Sequence, residues 1–204
     1  MMHIASYVIS TSIALGAVPL AAARDAGAPE IRVQRDGQHD FAFESGSWIT
    51  HVRRLQRPLS GSSTWVDYEG TTTVTQLLDG RANVAELRVS GPAGRIEGAA
   101  LRIYEPQARR WAIHYFNAAD GELTAPLFGH FEGAVGRFEG DDRLGDRAIR
   151  VRFEIRESPP GVWRFEQAFS ADGGRTWEVN WIAEDKRAAS AVSLGDLNPE
   201  GKRP

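Results

Sequence analysis

The stretch GVWRFEQAFSADGGRTWEVNWIAEDKR, residues 161–187, carries the strongest structural signal in the chain. Side chains alternate across a β-strand with a period of two, and large apolar residues recur with that period in both halves of the stretch. In the first half the alternating positions are Trp163, Phe165, Gln167 and Phe169, and in the second half they are Trp177, Val179 and Trp181. The stretch therefore predicts two antiparallel strands joined by a tight turn.

The turn itself reads SADGGRTW, residues 170–177, and fits the pattern Ser-x-Asp-x-Gly-x-Thr-Trp. This pattern resembles the Asp-box hairpin of sialidases and other β-propellers. A short carboxylate such as Asp172 can accept hydrogen bonds from backbone N–H groups of the turn, and glycines adopt the positive φ angles that a turn needs. A propeller requires repeated blades, whereas this chain has one such box and no internal repeat. We therefore interpret Asp172 as a structural residue.

Outward from the hairpin, segments of alternating apolar and polar residues follow one another at short, even spacing. The further predicted strands cover residues 48–55, 64–78, 83–90, 97–104, 110–116, 123–131, 134–139 and 147–157, with a turn at 140–142. No window after residue 23 keeps a 3.6-residue period. The sequence thus predicts an all-β fold: a single antiparallel barrel of about ten strands in an up-and-down meander, because closure removes the exposed edges of a sheet.

The two ends of the chain differ from this pattern. Residues 1–23 contain no Asp, Glu, Lys or Arg and end in three alanines, which predicts a signal peptide cleaved near Ala23; a membrane anchor is the alternative. We accordingly expect an exported protein, periplasmic or secreted, with no membrane span in the mature chain. Residues 24–38 are expected to form a flexible lead-in, residues 39–187 the barrel, and residues 188–204 a disordered tail.

Composition narrows the classes of function. The formal net charge is −3 and acids lie between the arginine pairs, so no concentrated basic surface for nucleic acid is expected. The chain has no cysteine, which excludes disulfides and a cysteine nucleophile. The histidines are not spaced as metal ligands, and Asp141 and Asp142 read as solvated turn acids in preference to a calcium loop. We expect no metal site, and the sequence sets no oligomeric state.

Several motifs taken together resemble an uncharacterised bacterial family of calycin-like β-barrels over residues 39–187. They are His39-Asp40-Phe41, Gly46-x-Trp48, residues 98–106 (GAALRIYEP) and the Trp-rich hairpin. The resemblance implies a barrel related to lipocalins, fatty-acid-binding proteins and nitrobindins, with Trp48 closing one end and no assigned reaction. Nitrobindins hold haem through a histidine near the C-terminus, whereas the last histidine here is His130. We therefore expect no haem and no other cofactor.

The leading functional hypothesis is a lipocalin-like barrel that binds a small, mostly apolar molecule in its lumen. Gln167 is notable because it lies in an apolar stripe, where a polar group must find a ligand, another core residue or a water as its partner. The face of His130 is not defined by the pattern. The candidate ligand-binding residues are Thr50, Tyr68, Trp111, Tyr115, His130, Phe165, Gln167 and Trp181.

Two alternatives from other classes stay open. The first is an acid–base enzyme, an isomerase, cyclase or hydrolase, that uses Gln167, Tyr115, His130 or a carboxylate in the lumen. It requires two or more inward titratable groups within hydrogen-bond reach. The second is a structural or interaction domain whose barrel is packed solid. Glu166 and Glu178 could meet across the terminal hairpin, but Glu166 is more simply read as an outer-face residue that lies with Arg164 and pairs with basic neighbours.

Overall fold

The computed structural model describes residues 36–188, in which ten strands account for most of the chain. In order they are β1 (Gly46–Leu55), β2 (Trp65–Leu77), β3 (Ala82–Gly91), β4 (Gly94–Glu105), β5 (Arg110–Asn117), β6 (Leu127–Glu132), β7 (Val135–Leu144), β8 (Arg147–Glu157), β9 (Val162–Ser170) and β10 (Glu178–Arg187). Two short 3₁₀ helices, Ala42–Glu44 and Leu78–Gly80, precede β1 and follow β2.

The ten strands form one closed antiparallel barrel. Each strand pairs with the next along the chain, and β10 returns to pair with β1, where Trp48 lies opposite Arg187. Closure gives every strand a hydrogen-bonded neighbour on both sides, and the shortest pairing joins residues 111–113 of β5 to residues 127–129 of β6. The predicted all-β, up-and-down barrel of about ten strands is confirmed.

A β-bulge in β10 changes which side chains face inward. Val179 pairs with Ala168 of β9, but Trp181 pairs with Gln167, so the register shifts by one residue at Asn180. Directly opposed residues of an antiparallel pair share a face, so Val179 and Trp181 lie on opposite faces of the sheet. The sequence expectation that Trp177, Val179 and Trp181 share one face was wrong, because simple alternation does not register the extra residue of a bulge.

The turn after β7 lies further along the chain than the sequence indicated. β7 continues to Leu144, so Asp141 and Asp142 belong to the strand and pair with Arg150 and Ile149 of β8. The chain reverses instead at Gly145, where φ is 60°. The expected turn at 140–142 was wrong. Two adjacent acids can also lie within a strand, close to an end that is exposed to solvent.

One end of the barrel is closed by an aromatic plug, which we define as Phe41 with the 3₁₀ helix Ala42–Glu44. Phe41 is 1% exposed and meets Trp111 of β5 edge-on, with 4.9 Å between ring centroids. The Trp111 indole also donates a hydrogen bond of 3.0 Å to the carbonyl of Gly37. Phe43 stacks on Trp163 of β9 at 3.6 Å. These contacts tie the segment before β1 to strands on several sides of the barrel.

Trp48 lies beside this plug, near the beginning of β1. Its indole donates a 2.6 Å hydrogen bond to the carbonyl of Glu44, and the Arg187 guanidinium lies 4.0 Å from its ring centroid. Arg187 also donates to the carbonyls of Phe43 and Ser45. A cation over an indole face is attracted by the ring quadrupole, so Arg187 fastens the last strand to the first at the closed end.

At the other end of the barrel, Asp172 organises the turn between β9 and β10. Its carboxylate accepts hydrogen bonds from the backbone N–H groups of Arg175 (3.0 Å) and Thr176 (2.9 Å) and from the Ser170 and Thr176 hydroxyls. Gly173 and Gly174 have φ angles of 77° and 92°. The backbone hydrogen bond from Thr176, supported by the other donors, holds the pKa of Asp172 well below its usual range.

We therefore predict that Asp172→Ala lowers the thermal midpoint at pH 7 but leaves lumen binding intact in the folded protein. The thermal midpoint of Asp172→Asn, which keeps one acceptor oxygen, should lie between those of Asp172→Ala and the wild type. Because the folded-state pKa is depressed, the ionised carboxylate stabilises the protein above the unfolded-state pKa, near 4. The difference between wild type and variant should therefore shrink as pH falls below that value. Calorimetry from pH 7 to pH 3 measures it, and a constant difference would contradict the role given to the charge.

The predicted signal peptide (1–23), most of the predicted lead-in (24–38) and the predicted tail beyond residue 188 lie outside the described residues. Within residues 36–188, no helix has the length and apolar character needed to cross a membrane.

Candidate functional site

The barrel encloses a cavity of about 700 Å³. Every one of the ten strands contributes at least one lining residue, so the cavity is the lumen of the barrel and not a groove on its surface. Its size lies within the range of about 300–1,000 Å³ that is typical of small-molecule sites. The aromatic plug covers the end where β1 begins, and the opposite end is surrounded by the turns that follow β1, β3, β5, β7 and β9.

The middle of the lumen has an apolar wall. Because strand residues alternate between the two faces, every second residue of β8 and β9 points inward. The wall includes Leu87, Ile113, Phe153, Phe165, Phe169 and Trp181. Phe153 and Phe165 meet edge-on, with 4.9 Å between their ring centroids. A ligand in this region would be surrounded mainly by aliphatic and aromatic carbon.

Four of the residues suggested by the sequence line this cavity: Tyr115, Phe165, Gln167 and Trp181. Gln167 has a partner within the protein, since its amide donates a 2.8 Å hydrogen bond to the Asn180 side chain. Tyr115 lies over Gly98 of β4, where an added Cβ would come within 2.3 Å of the phenol oxygen. The glycine thus makes the space in which the Tyr115 ring lies. Burial raises the pKa of Tyr115.

Two more suggested residues lie immediately behind the lining. Thr50 is 1% exposed and contacts a lumen carboxylate, described below. Tyr68 is buried in an apolar cluster with Val52, Val89 and Ala183, beside the wall residues Leu87 and Trp181. They support the wall and, in this geometry, do not form part of the lining itself.

The remaining two lie away from the lumen. Trp111 is fully buried against the plug and is not a lining residue, because Phe41 and Tyr104 cover its ring. His130 is on the outer face of β6, with 51% of its side chain exposed and its imidazole 3.4 Å from Glu132. Its neighbours Leu127 and Phe131 take the inward contacts with the core. A role for His130 inside the lumen does not agree with this position.

A polar cluster lies at the plugged end of the cavity, and we call it the lumen floor: Glu44, Thr50, Thr72, Arg102 and Asp185. The Thr50 hydroxyl donates a 2.5 Å hydrogen bond to an Asp185 oxygen. Because the Thr50 hydroxyl has only one proton and donates it to Asp185, the Thr50 oxygen accepts a 2.7 Å hydrogen bond from the Thr72 hydroxyl. Arg102 forms an ion pair with Glu44. Four of the five line the cavity, with Thr50 directly behind them.

Asp185 is the unusual member of the floor. Burial raises the pKa of Asp185 to about 6, and the nearby Glu44 carboxylate adds to the increase. The hydrogen bond from Thr50 and the Arg102 charge act in the opposite direction but do not cancel the effect of burial. The carboxyl therefore changes its charge close to neutral pH, inside a cavity with apolar walls.

We predict that Asp185→Asn stabilises the protein by about 1–3 kcal/mol at pH 7.5, since one pKa unit corresponds to about 1.4 kcal/mol. The pKa of Asp185 is higher in the folded state than in the unfolded state. Between about pH 4 and pH 6 the native protein therefore binds more protons than the unfolded chain, and its stability falls as pH rises. Asparagine keeps an acceptor for Thr50 and carries no charge. Urea titrations at pH 7.5 and pH 4 test this: the gain should appear only at the higher pH, and equal stabilities at pH 7.5 would contradict it.

Sequence reasoning named Thr50 but missed the other four members of the floor. Asp185 has the inward parity of Trp181 and Ala183, which was a usable signal, but a charged residue near a strand end is usually outward. Arg102 similarly shares the parity of Ala100 and Tyr104 on β4. The position of Glu44 depends on how the plug folds, and no periodicity gives it.

Of the carboxylate pair considered from the sequence, Glu166 lies on the outer face, as preferred there. Glu166 forms ion pairs with Arg164 (2.6 Å) and Arg156 (3.2 Å) on the outer surface. Glu178 accepts a hydrogen bond from the backbone N–H of Leu59. Neither carboxylate lines the lumen.

Among residues 36–188, no three His, Asp or Glu side chains form a group that could hold a metal ion. The expectation that the protein uses no cofactor stays a prediction. Comparisons of the chain with protein-family models and with curated proteins find no match. The proposed function therefore rests on the geometry of the barrel and its lumen.

Proposed function

We propose that this protein is a carrier or receptor barrel that binds a small, mostly apolar ligand in its lumen. The observation that supports it is the cavity of about 700 Å³ lined by all ten strands, with an apolar wall. Protein interiors normally pack to a density that leaves few voids larger than a water molecule. A cavity of this size in the centre of a barrel leaves room for a small-molecule ligand.

The same proposal includes a relation to the calycin-like barrels and export from the cytoplasm. The closed ten-strand meander and the Trp48 position beside the closed end agree with the resemblance found in the sequence. Export is proposed from the composition of residues 1–23. Mass measurement of the protein secreted by its source tests whether residues 1–23 are removed, and a chain still carrying them would contradict cleavage.

Titration of the full chain with N-phenyl-1-naphthylamine, a neutral apolar dye that fluoresces when removed from water, tests binding. We expect a saturable increase in fluorescence with one site per chain, and competition by 1-decanol. A lumen that stays closed to ligands would give no increase with folded protein. The solid-barrel hypothesis predicts that second result, and the cavity volume disfavours it.

A second candidate is acid–base catalysis in the same lumen. It is favoured by one observation: Asp185, with a pKa raised to about 6 by burial, and the Glu44–Arg102 pair all line the cavity. A carboxylate whose pKa lies near the working pH suits proton transfer. Proton abstraction from 5-nitrobenzisoxazole, which opens the ring with cleavage of its N–O bond, tests it. A rate that does not change in Asp185→Asn would remove this candidate.

A further inference from the structure

The lining of the lumen carries an excess of negative charge. Its carboxylates are Glu44, Glu97, Asp120, Asp142 and Asp185, whereas its basic groups within residues 36–188 are three arginines. A cavity with low-dielectric walls concentrates the field of the charges that line it. The lumen as a whole therefore favours a cationic ligand over an anionic one.

The floor shows the same preference at closer range. The Arg102 guanidinium is engaged by Glu44 and lies 3.4 Å from the Asn83 side-chain oxygen, so its charge is already balanced. Its Nε is buried without a hydrogen-bond partner. An anionic head group would therefore have to displace Glu44 from Arg102 in order to pair with it.

Asp185, in contrast, has no balanced partner. Within the described part of the chain its hydrogen-bond donors are neutral threonine hydroxyls, and no Lys, Arg or His forms a salt bridge with it. The charged and polar groups that face it are Thr50 from β1, Thr72 from β2, Arg102 from β4 and Glu44 from the plug. An ionised carboxylate that is half-enclosed and unpaired is unfavourable unless a cation approaches it.

We propose that the ligand is an amphiphilic amine, whose apolar body lies along the aromatic wall and whose protonated amino group pairs with Asp185 on the lumen floor. This proposal rests on the proposed binding function and specifies the class of ligand. The amino group supplies the positive charge and the hydrogen-bond donors that the Asp185 carboxylate lacks, and its charge also offsets the repulsion from Glu44.

The pairing requires Asp185 to be ionised, which makes binding depend on pH. Since burial raises the pKa of Asp185 to about 6, most of the carboxyl groups are charged at pH 7.5 and most are protonated at pH 5. An alkylamine stays protonated at both values. Affinity for the amine should therefore fall on acidification, while affinity for a neutral alcohol of the same chain length should not.

The test is displacement of N-phenyl-1-naphthylamine from the full chain by decylamine, 1-decanol and decanoate. At pH 7.5 we expect decylamine to displace the dye at a concentration roughly tenfold lower than 1-decanol, because truncating one partner of an enclosed charge pair commonly costs at least that factor. Decanoate should be the weakest competitor. At pH 5 the preference for the amine over the alcohol should disappear.

Two variants locate the effect. Asp185→Asn should bind decylamine and 1-decanol equally, whereas Glu132→Gln, which removes an exposed carboxylate on the outer face of β6, should keep the preference. Equal affinities in the wild type, or a preference that survives in Asp185→Asn, would overturn the amine proposal while binding of the dye and alcohol upheld the lumen function. Failure of the dye and all three competitors to bind would overturn both.

Discussion

Ala100→Trp is expected to abolish binding of N-phenyl-1-naphthylamine, raising its dissociation constant by roughly 100-fold or more, about 2.7 kcal/mol. Ala100 lines the lumen from β4, directly opposite Tyr115 of β5. Its side chain packs beside its strand partner Ala85 of β3, in a cluster with Trp48 and Val74. An indole at this position would occupy the space that the ligand needs, while the backbone pairing of β4 stays unchanged.

The matched control is Thr73→Trp, which adds the same ring to an exposed position of β2 on the outer face. It should bind the dye as the wild type does. Since overpacking costs about 1–3 kcal/mol, Ala100→Leu provides a milder variant that should weaken binding by an intermediate factor. Folding of each variant is checked by circular dichroism. Retained binding in a folded Ala100→Trp protein would place the dye outside the lumen.

Phe41→Ala is expected to lower the free energy of unfolding by about 3–5 kcal/mol, the usual cost of deleting a fully buried aromatic ring. Phe41 contacts Trp111, Phe131 and Phe138, at centroid distances of 4.9, 5.2 and 5.7 Å. The Arg102 guanidinium lies 4.3 Å from the centroid of the ring on its other side. Loss of the ring leaves a cavity between the plug and the barrel and removes one support of the floor.

Urea unfolding at pH 7 measures this loss, with Phe43→Ala as the comparison. Phe43 is only partly buried and packs against Trp163, so its deletion should cost less. If Phe41→Ala cost no more than Phe43→Ala, the plug would not be part of the cooperative fold. The residual stability of Phe41→Ala should still show a single transition, since the strand pairings remain.

The barrel was predictable because its signals are local. The strand from Arg147 to Glu157 alternates so regularly that both of its ends agree with the structure. On β1 the alternating residues Trp48, Thr50 and Val52 are all buried. Binary patterning carries this information because a strand has only two faces.

The polar cluster of the floor could not be predicted from the sequence, and the reason is physical. Asp185 and Thr50 meet across the β1–β10 junction, which joins residues 135 positions apart in the sequence. Their contact depends on barrel closure and on the bulge at Asn180, which sets the register of β10. A lone aspartate in a strand gives no sign of its partner, and its usual place is in solvent.

The polar stripe residue Gln167 shows the opposite case. The sequence singled it out as a polar group that needs a partner, and the structure supplies Asn180 from the bulge itself. The expectation that Gln167 needs a partner was correct. The partner is Asn180 because of the β-bulge, and a pattern of alternation does not reveal a bulge. Gln167 is thus a wall residue whose amide is held by the protein.

A crystal structure of the full chain grown with decylamine at pH 7.5 would show whether the amine binds in the lumen. We predict an alkyl chain inside the barrel, along Phe153, Phe165 and Trp181, with the nitrogen at about 2.8 Å from an Asp185 carboxylate oxygen. A lumen filled by side chains, or an amine bound on the outer surface with none in the lumen, would contradict binding of an amphiphilic amine inside the barrel.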